Sequence, residues 1–282
     1  MKLHIVDGTF ELFRCFHGAP RAALDGQEVG ATRGFLHTIL SLLRQEEVTH
    51  LAIAFDSIMA PAVRKGQPVD PLASQHGLVA EATRALGVVI WPMVRRYEGD
   101  DALASGAAQF RHQVEQVVLC TPDKDLAQCV RGQQVVVRDR IRKVTLDEAG
   151  VLAKFGVPPL LIPSYLALVG DAADGIPGIP GWGKVSAGAV LNHYGSLEAI
   201  PALGSEWEVK VRGRDRLARE LNERRFEALI YRGQIDLAED VPIPHGLDDL
   251  EWLGAPRERL ERFAQRIGAE DALPGVPRWL GE

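Results

Sequence analysis

LHIVDG, residues 3–8, is a short apolar run that ends on an acidic residue, Asp7. The same pattern recurs in LAIAFD (51–56) and in VVLCTPDKD (117–125). Apolar runs of this length predict buried strands rather than surface segments. Each of these strands is therefore expected to end at an aspartate.

Strand-like and helix-like segments alternate along the first half of the chain. Strand patterns occur at 3–6, 49–55, 88–93, 116–120 and 135–138, and helix patterns at 31–45, 76–86, 100–112 and 124–130. This alternation is typical of βαβ units, and it predicts an α/β fold with a mainly parallel sheet flanked by helices. Ligands of such sheets bind beyond the carboxyl ends of the strands, where the acids are expected.

The pattern changes at GVPP, residues 156–159. No strand pattern follows, and short helical stretches are separated by glycine and proline. We therefore predict an α/β domain over 1–156, an all-helical module over 157–240, and a C-terminal extension over 241–282. This extension either packs on the first domain or stays apart from it.

Size and composition indicate a soluble globular protein. The chain has 282 residues, of which 46% are hydrophobic, yet no stretch approaches the roughly 18 apolar residues of a membrane span. Asp7 stands where a secretion signal would need apolar residues, so we expect a cytoplasmic monomer with no membrane partner. The odd cysteine set, Cys15, Cys120 and Cys129, argues against a disulfide framework and predicts buried or idle thiols.

Acidic residues cluster at separate places along the chain. They are Asp7; Asp56; Glu98, Asp100 and Asp101; Asp123 and Asp125; and Asp171 and Asp174. The predicted topology brings them into one pocket, where two carboxylates ~4 Å apart repel by roughly 4 kcal/mol at an effective dielectric of about 20. Such a pocket needs cations, and hard oxygen ligands without a Cys/His set favour Mg²⁺ or Mn²⁺ over zinc. Two such ions are the usual means of hydrolysing a phosphodiester.

Simpler explanations exist for individual clusters. Glu98 and Asp101 are spaced to cap a helix, where acids are favoured by the dipole. DKD at 123–125 fits a capped turn, and Asp171 with Asp174 fits an Asx turn before Gly175. These explanations weaken when the clusters are considered together, because all of them would have to be incidental.

The segment GIPGWG (178–183), followed by a helical pattern from Lys184, is a candidate DNA contact. Glycines let the backbone approach a ligand closely, and N–H groups at the start of a helix bind anions. The net charge of −6 does not exclude a nucleic-acid partner, because the chain is positive once the clustered acids are set aside as metal ligands. Basic residues group at 210–232 and at Arg138, Arg140, Arg142 and Lys143, either as DNA contacts or as a solvated helix face and a charged hairpin tip.

Over about residues 3–235 the chain resembles the 5′→3′ exonuclease and flap endonuclease family, which includes the N-terminal nuclease of bacterial DNA polymerase I. The matching segments are IVDGTFELFR, AIAFD, YEGDDALA, TPDKDLAQ and YLALVGDAADGIPGIPGWG. The last is similar to the family signature G-D-x-x-D-N-x-P-G-x-x-G-x-G. The resemblance implies a PIN-like domain, a helical three-turn-helix DNA-binding module, and two-metal hydrolysis that leaves 5′-phosphate products.

The resemblance also implies roles for individual residues. Asp7, Asp56, Glu98 and Asp100 would bind a first metal with Asp101 beside them, and Asp123, Asp125 and Asp171 a second, which Asp174 would assist through water. The DNA contacts would be Phe13, Arg14, Arg33, Arg64, Lys65, Gly178, Gly181, Gly183 and Lys184, with a K⁺ ion held by hairpin carbonyls. Phe13 would stack on a base, although a core position on the first helix explains it equally well.

Three positions depart from the family pattern. The segment 57–75, with Arg64 and Lys65 as its only bases, is shorter than the family's basic arch. Gly175 replaces an asparagine, which predicts a looser turn, and Val185 replaces a lysine that Lys184 supplies one position early. Exonuclease action is therefore favoured over threading of a 5′ flap.

The predicted function is a structure-specific, metal-dependent 5′ nuclease acting on DNA ends, flaps or branches in replication or repair. Because no polymerase segment follows the helical module, we expect a separate nuclease. The alternative is a catalytically weak structure-specific DNA-binding protein in which the short arch has abolished activity. A PIN-like ribonuclease is disfavoured by the helical module, and an aspartyl phosphatase by Thr9, which stands where a second acid is needed.

Overall fold

A computed structural model describes residues 1–56, 70–91 and 97–282. The described chain forms two compact units, one of Met1–Thr121 with Ala238–Glu282 and the other of Pro122–Leu237. The predicted DNA contacts Arg64 and Lys65, and the end of the strand predicted at 88–93, lie outside the described residues.

The first unit is built on parallel strands. Its strands are β1 (Lys2–Asp7), the short hairpin strands β2 (Ala23–Leu24) and β3 (Gln27–Glu28), β4 (His50–Ala54), β5 (Val89–Trp91) and β6 (Gln116–Cys120). The parallel strands lie in the order β5-β4-β1-β6. Val6 of β1 pairs with Ile53 on one side and with Cys120 on the other, so these strands end at the same edge. The predicted α/β fold with a mostly parallel sheet is confirmed.

Helices accompany these strands and enclose the core. They are α1 (Gly8–Gly18), α2 (Gly30–Leu43), α3 (His76–Ala85) and α4 (Gly99–Phe110). The core is dense, since Phe35 and Ile53 are fully buried and Trp91 stacks on Phe110 with ring centroids 6.3 Å apart. Truncation of an aromatic side chain in such a core costs roughly 3–5 kcal/mol.

The second unit is mainly helical. It contains an antiparallel hairpin of β7 (Val135–Asp139) and β8 (Val144–Leu146), then α5 (Glu148–Phe155), α6 (Ile162–Val169), α7 (Lys184–Tyr194), α8 (Arg214–Glu223) and α9 (Arg225–Ile235). No strand follows β8 in the described ranges, as predicted. Helix α6 contacts both α7 and α9, and its residues Leu166 and Leu168 are buried.

Two local predictions in this unit have different outcomes. The group Arg138 to Lys143 does form a charged hairpin tip, because it spans the turn between β7 and β8. The helix predicted at 124–130 is wrong in type, since Asp125–Cys129 form a short 3-10 helix. The cause is local: the Asp125 N–H is bonded to the Asp123 side chain at 2.8 Å, and Val130 is already extended.

The C-terminal segment belongs to the first unit. Glu251 forms a β-bridge with His50, and Trp252 Nε1 donates to the Leu86 carbonyl at 2.8 Å. The last helix, α10 (Arg257–Ile267), packs on α3 and buries Phe263. Of the two arrangements that the sequence left open for 241–282, the structure has the packed one.

Cys15, Cys120 and Cys129 are free and buried, as expected. No single helix in the described ranges is long and apolar enough to cross a membrane. One pair, Glu148–Phe155 with Pro159–Val169, meets the length and composition test jointly and is bent by 44° at its break.

Candidate metal centre and nucleic-acid interface

Aspartates of the second unit form a compact carboxylate cluster. Carboxylate oxygens of Asp123, Asp125 and Asp174 lie within 4.8 Å of one another. The backbone builds part of this geometry, because the Asp125 N–H donates to Asp123 Oδ1 at 2.8 Å. Asp125 Oδ1 is buried and has no hydrogen-bond partner among the residues that the structure describes. An unsatisfied buried oxygen beside other carboxylates is well suited to bind a cation.

The charges of this cluster are poorly compensated. Burial, together with the neighbouring carboxylates of Asp123 and Asp174, raises the pKa of Asp125 to about 7. Burial also raises the pKa of Asp123 and, with the added repulsion from Asp123, that of Asp174. A divalent ion bound by these carboxylates would displace the protons and relieve the repulsion. The residues therefore fit a metal ion that prefers oxygen ligands.

Asp171, a predicted ligand of the same metal, is paired with a lysine. It is 3% exposed, and its two carboxylate oxygens accept hydrogen bonds from Lys124 Nζ at 2.5 and 2.6 Å. Its Oδ1 also accepts the N–H of Ala173 at 3.1 Å, which is the Asx turn that the sequence offered as the simpler explanation. The Asp171 carboxylate thus stabilises the turn and also forms an ion pair with Lys124.

The turn after Asp171 is closed despite the glycine at 175. Backbone hydrogen bonds run both ways between Asp171 and Ile176, at 2.9 and 2.8 Å. Gly175 has φ of 71°, a left-handed conformation that glycine adopts without strain and asparagine tolerates. The looser turn expected at this position is not what the structure shows, because both residue types satisfy the same backbone requirement.

Asp7 and Asp56 lie at the carboxyl edge of the sheet in the first unit. Asp7 ends β1, and its Oδ1 accepts the N–H of Phe10 at 2.8 Å, which caps α1. Asp56 follows β4 and its Oδ1 accepts the N–H of Gly99, the first residue of α4, at 2.6 Å. This edge therefore collects acids from two strands and from the start of a helix, as the topology predicted.

The acids at the start of α4 differ in their surroundings. Both oxygens of Asp101 accept backbone hydrogen bonds, Oδ2 from Glu98 at 3.0 Å and Oδ1 from Ala238 at 2.8 Å. Asp101 is thus the helix cap that the sequence offered as an alternative. Glu98 is exposed and Asp100 is half-buried. Among the described residues, Asp123, Asp125 and Asp174 form the only group of three or more acids, histidines or cysteines whose ligand atoms lie within 4.8 Å of one another.

The glycine hairpin of the second unit is fixed by close packing. Gly178 has φ of 71°, and a Cβ added there would lie 2.6 Å from the backbone nitrogen of Gly170. Trp182 is buried and its Nε1 donates to the Leu217 carbonyl at 3.2 Å. Gly181 is exposed at the tip of the hairpin. Gly178 itself is buried, so the exposed backbone at Gly181 is the part of the segment that could contact a phosphate.

The start of α7 follows this hairpin directly. The N–H of Gly183 donates to Ser186 Oγ at 3.1 Å. Lys184 is exposed, but its Nζ donates to the Lys154 carbonyl at 2.5 Å, at the end of α5. Val185, which replaces the family's lysine, is 83% exposed. The Lys184 ammonium group is thus held at the end of α5, and a phosphate contact could use only its remaining N–H donor.

Phe13 is a surface residue. Its side chain is 52% exposed and makes an edge-to-face contact with His17, with ring centroids 4.4 Å apart. The structure therefore excludes the core position that the sequence left open for this residue. An exposed aromatic ring remains available to stack on a base.

Arg14 and Arg33 are tied to neighbouring side chains. Arg14 Nη2 lies 2.5 Å from Glu11 Oε2 and 2.7 Å from Thr38 Oγ1. Arg33 Nη2 lies 3.6 Å from Asp271 Oδ1, a longer and more exposed pair. Arg14 is the more firmly held of these two predicted DNA contacts.

Part of the basic segment 210–232 has a structural role. Arg225 donates to the carbonyls of Leu197 and Ile200 at 2.6 and 2.8 Å, and Arg232 pairs with Glu198 at 2.6 Å. These arginines anchor α9 to the segment that follows α7. The segment 210–232 is therefore more than a solvated helix face.

Sequence interpretation missed the role of Lys124. The sequence did place this lysine between Asp123 and Asp125, which indicates that its positive charge neutralises a nearby carboxylate. Which carboxylate it pairs with depends on a residue 47 positions away, Asp171.

Comparison with known proteins places the chain in a family. Residues 2–156 match the N-terminal resolvase-like domain of 5′-3′ exonucleases, and residues 157–258 match their C-terminal SAM fold. The chain is 30% identical to the 5′-3′ exonuclease of Aquifex aeolicus, covering 98% of this chain and 95% of that protein. It is 34% identical to DNA polymerase I of Pseudomonas aeruginosa, covering 98% of this chain but only 31% of the polymerase.

Solved structures of the T5 D15 protein share the fold. The form co-crystallised with metal ions gives a TM-score of 0.65 at 17% identity, covering 95% of this chain and 98% of that one. The D15 flap endonuclease pseudo-enzyme-product complex with DNA and metal ions gives 0.60 at 16% identity, covering 96% and 100%.

An α/β unit with acids at the carboxyl edge of its sheet, followed by a helical SAM-like domain, defines a PIN-like nuclease. The chain belongs to the 5′-3′ exonuclease family. The predicted family, fold class and class of function are confirmed.

Proposed function

We propose that the protein is a structure-specific 5′ nuclease that hydrolyses DNA with two divalent ions, Mg²⁺ or Mn²⁺, and leaves 5′-phosphate products. One observation carries the proposal: Asp123, Asp125 and Asp174 form a carboxylate cluster with an unsatisfied buried oxygen, in a chain of the 5′-3′ exonuclease family. The substrates are DNA ends, flaps or branches, and the enzyme acts as a monomer.

Each group of acids would hold one ion. The first ion would be bound by Asp7, Asp56, Glu98 and Asp100, and the second by Asp123, Asp125 and Asp171, with Asp174 acting through water. Asp56 supports this assignment, because its Oδ1 is bonded to the backbone and its Oδ2 has no partner among the described residues. When bound, the ions activate a water molecule and stabilise the leaving oxygen.

Other residues would position these ligands and the DNA. Asp101 fixes the start of α4, and Lys124 neutralises the buried carboxylate of Asp171 until an ion replaces it. The backbone from Gly178 to Gly183 would bind duplex phosphates, with a K⁺ ion on its carbonyls. Phe13 would stack on a base next to the scissile phosphate, a contact worth roughly 1–3 kcal/mol.

Exonucleolytic cutting is proposed to dominate over threaded flap cleavage. The support is the sequence of 57–75, which offers few bases for an arch. If intact flaps are released efficiently, this preference is wrong while the nuclease proposal stands.

A cleavage assay tests the proposal. The purified chain is incubated with 5′-flap, 5′-overhang, nicked and single-stranded DNA in Mg²⁺ or in EDTA. We expect Mg²⁺-dependent cutting that leaves 5′-phosphate ends. No cutting on any substrate, with DNA binding retained, would instead support the DNA-binding alternative.

A matched pair of double variants tests the site. Asp123→Asn with Asp125→Asn keeps side-chain shape but removes two ligand charges, and we expect at least a roughly 100-fold loss of rate. The control, Glu206→Ala with Glu208→Ala, removes two exposed acids from the same unit and should cut normally. Equal rates for the two variants would show that the cluster is not the metal site.

A further inference from the structure

Helix α10 and the end of α3 together present a basic surface that the nuclease site does not use. Arg259, Arg262 and Arg266 recur at helical spacing on α10, and Arg84 lies on the adjoining α3. These four arginines line one cleft of about 380 Å³, where Glu81 is the only acid among the described lining residues and Phe263 is buried. We call this surface the arginine cleft.

The positive charge of the arginine cleft is largely uncompensated. Arg266 pairs with Glu81 at 2.5 Å. Arg84, Arg259 and Arg262 have no carboxylate partner in the part of the chain that the structure describes. By contrast, Arg257 on the same helix pairs with Glu282 at 2.7 Å and lies over the ring of Trp279. Among the described residues, the guanidinium groups of Arg84, Arg259 and Arg262 therefore lie together without a carboxylate partner.

The fold holds these guanidinium groups in place. Arg259 Nη1 lies 3.4 Å from the Arg84 carbonyl at the end of α3, and Arg262 Nε donates to the Glu258 carbonyl at 3.1 Å. Guanidinium groups match phosphate oxygens with paired N–H bonds, and each contact to DNA releases a counterion. The residues at 259 and 266 are roughly 10 Å apart along the helix axis, so the cleft can span neighbouring phosphates of one strand.

We propose that the arginine cleft is a second DNA-binding site, which grips backbone phosphates of a duplex arm of the substrate. This proposal rests on the proposed function for the nature of the ligand. Helix α3 leads into β5, so its last turn lies near the start of that strand, whereas Asp7 and Asp56 lie at the opposite edge of the sheet. A five-residue strand such as β4 spans roughly 17 Å. The cleft therefore contacts DNA at least about 5 base pairs from the scissile bond.

The test measures DNA binding rather than cutting. Kd for a fluorescent nicked duplex with 20-base-pair arms is determined by anisotropy in EDTA over a series of KCl concentrations. Arg259→Gln with Arg262→Gln should reduce the slope of log Kd against log[KCl] by about 2, and should weaken binding roughly 10-fold near 100 mM KCl. On a substrate whose arms are hairpin-closed after 4 base pairs, the same variant should bind like the unmodified protein.

The matched control removes the same charge elsewhere in the first unit. Arg111→Gln with Arg257→Gln should leave the salt slope unchanged, because Arg257 is engaged by Glu282 and Arg111 lies outside the cleft. Thermal melting confirms that both proteins are folded. Equal slopes for the two double variants, or equal losses on long and short arms, would overturn the proposal.

A last measurement distinguishes DNA binding by the arginine cleft from binding of small anions. Thermal shifts with inorganic phosphate are measured on the same proteins. If the cleft variant loses a phosphate-induced shift but binds DNA normally, the cleft is a small-anion site and the proposal is wrong. Absence of Mg²⁺-dependent cutting by the unmodified protein would refute the nuclease function separately, since binding in EDTA does not depend on it.

Discussion

Lys124 Nζ lies 2.5 Å from Asp171 Oδ1 and 2.6 Å from Asp171 Oδ2, so one ammonium group occupies both oxygens of a carboxylate that is 3% exposed. The lysine stands between Asp123 and Asp125, whose carboxyl groups have raised pKa values because they are buried. The ammonium group of Lys124 thus satisfies Asp171, whereas Asp125 Oδ1 has no hydrogen-bond partner among the described residues. An incoming metal ion must compete with Lys124 for Asp171.

Removal of this ammonium should strengthen metal binding and weaken the metal-free protein. We expect Lys124→Gln to bind Mn²⁺ roughly 10-fold more tightly by calorimetry, because a competing positive charge is gone. Without Mn²⁺ its melting temperature should fall, since a buried carboxylate loses its partner; the lysine is 42% exposed, so the loss should be about 1–2 kcal/mol. Lys210→Gln, an exposed lysine of the same unit, should change neither quantity. Weaker Mn²⁺ binding in Lys124→Gln would mean that the lysine supports the site rather than competing for it.

Asp125 predicts a pH dependence of stability. The folded protein binds a proton at Asp125 up to a pKa of about 7, whereas the unfolded chain releases it near 3.8. Between these values the folded state holds more protons, so stability falls as the pH rises through this window. The stability of Asp125→Asn relative to the unmodified protein should therefore rise between pH 5 and pH 8, by on the order of 2 kcal/mol. Melting of both proteins is measured in EDTA at pH 5 and pH 8. The prediction is wrong if the stability difference between the variant and the unmodified protein is the same at both pH values.

Asp101 should behave as a structural residue. Both of its oxygens accept backbone N–H groups, so Asp101→Asn places an amide donor against one of these donors. We expect a loss of about 1–3 kcal/mol in the free energy of unfolding, with less than a roughly 10-fold loss of cutting rate below the melting temperature. Asp123→Asn should show the reverse, near-normal stability with a large loss of rate. Similar rate losses in the two variants would assign Asp101 to the metal ligands.

Gly175 and Gly178 offer a matched test of the turn and the hairpin. Both have φ of 71°, so alanine introduces the same backbone strain of about 1 kcal/mol at either position. No atom lies within 4 Å of a Cβ at Gly175, whereas at Gly178 the Gly170 nitrogen would be 2.6 Å away. Gly178→Ala should therefore be less stable than Gly175→Ala by at least about 2 kcal/mol in urea unfolding and should bind duplex DNA more weakly. Equal stabilities would show that the hairpin moves freely away from Gly170.

Much of the fold was predictable because its signals are local. The apolar runs that become β1, β4 and β6 are buried strands whose side chains cannot be solvated, and their boundaries follow from hydrophobicity alone. The site residues were predicted only in part. Asp56 is placed by a hydrogen bond to Gly99, and Asp101 by one to Ala238, and neither distance can be calculated from spacing in the chain.

By itself the sequence determined the strand–helix alternation, the parallel sheet, the acids at strand ends and the family signature, because periodicity and residue type act over a few positions. Only the tertiary structure decided which charges meet. It placed Lys124 on Asp171, left Asp125 with an unsatisfied oxygen, and brought Arg84 beside the arginines of α10. Pairing of charges depends on distances between segments far apart in the chain, and packing of the whole unit sets those distances.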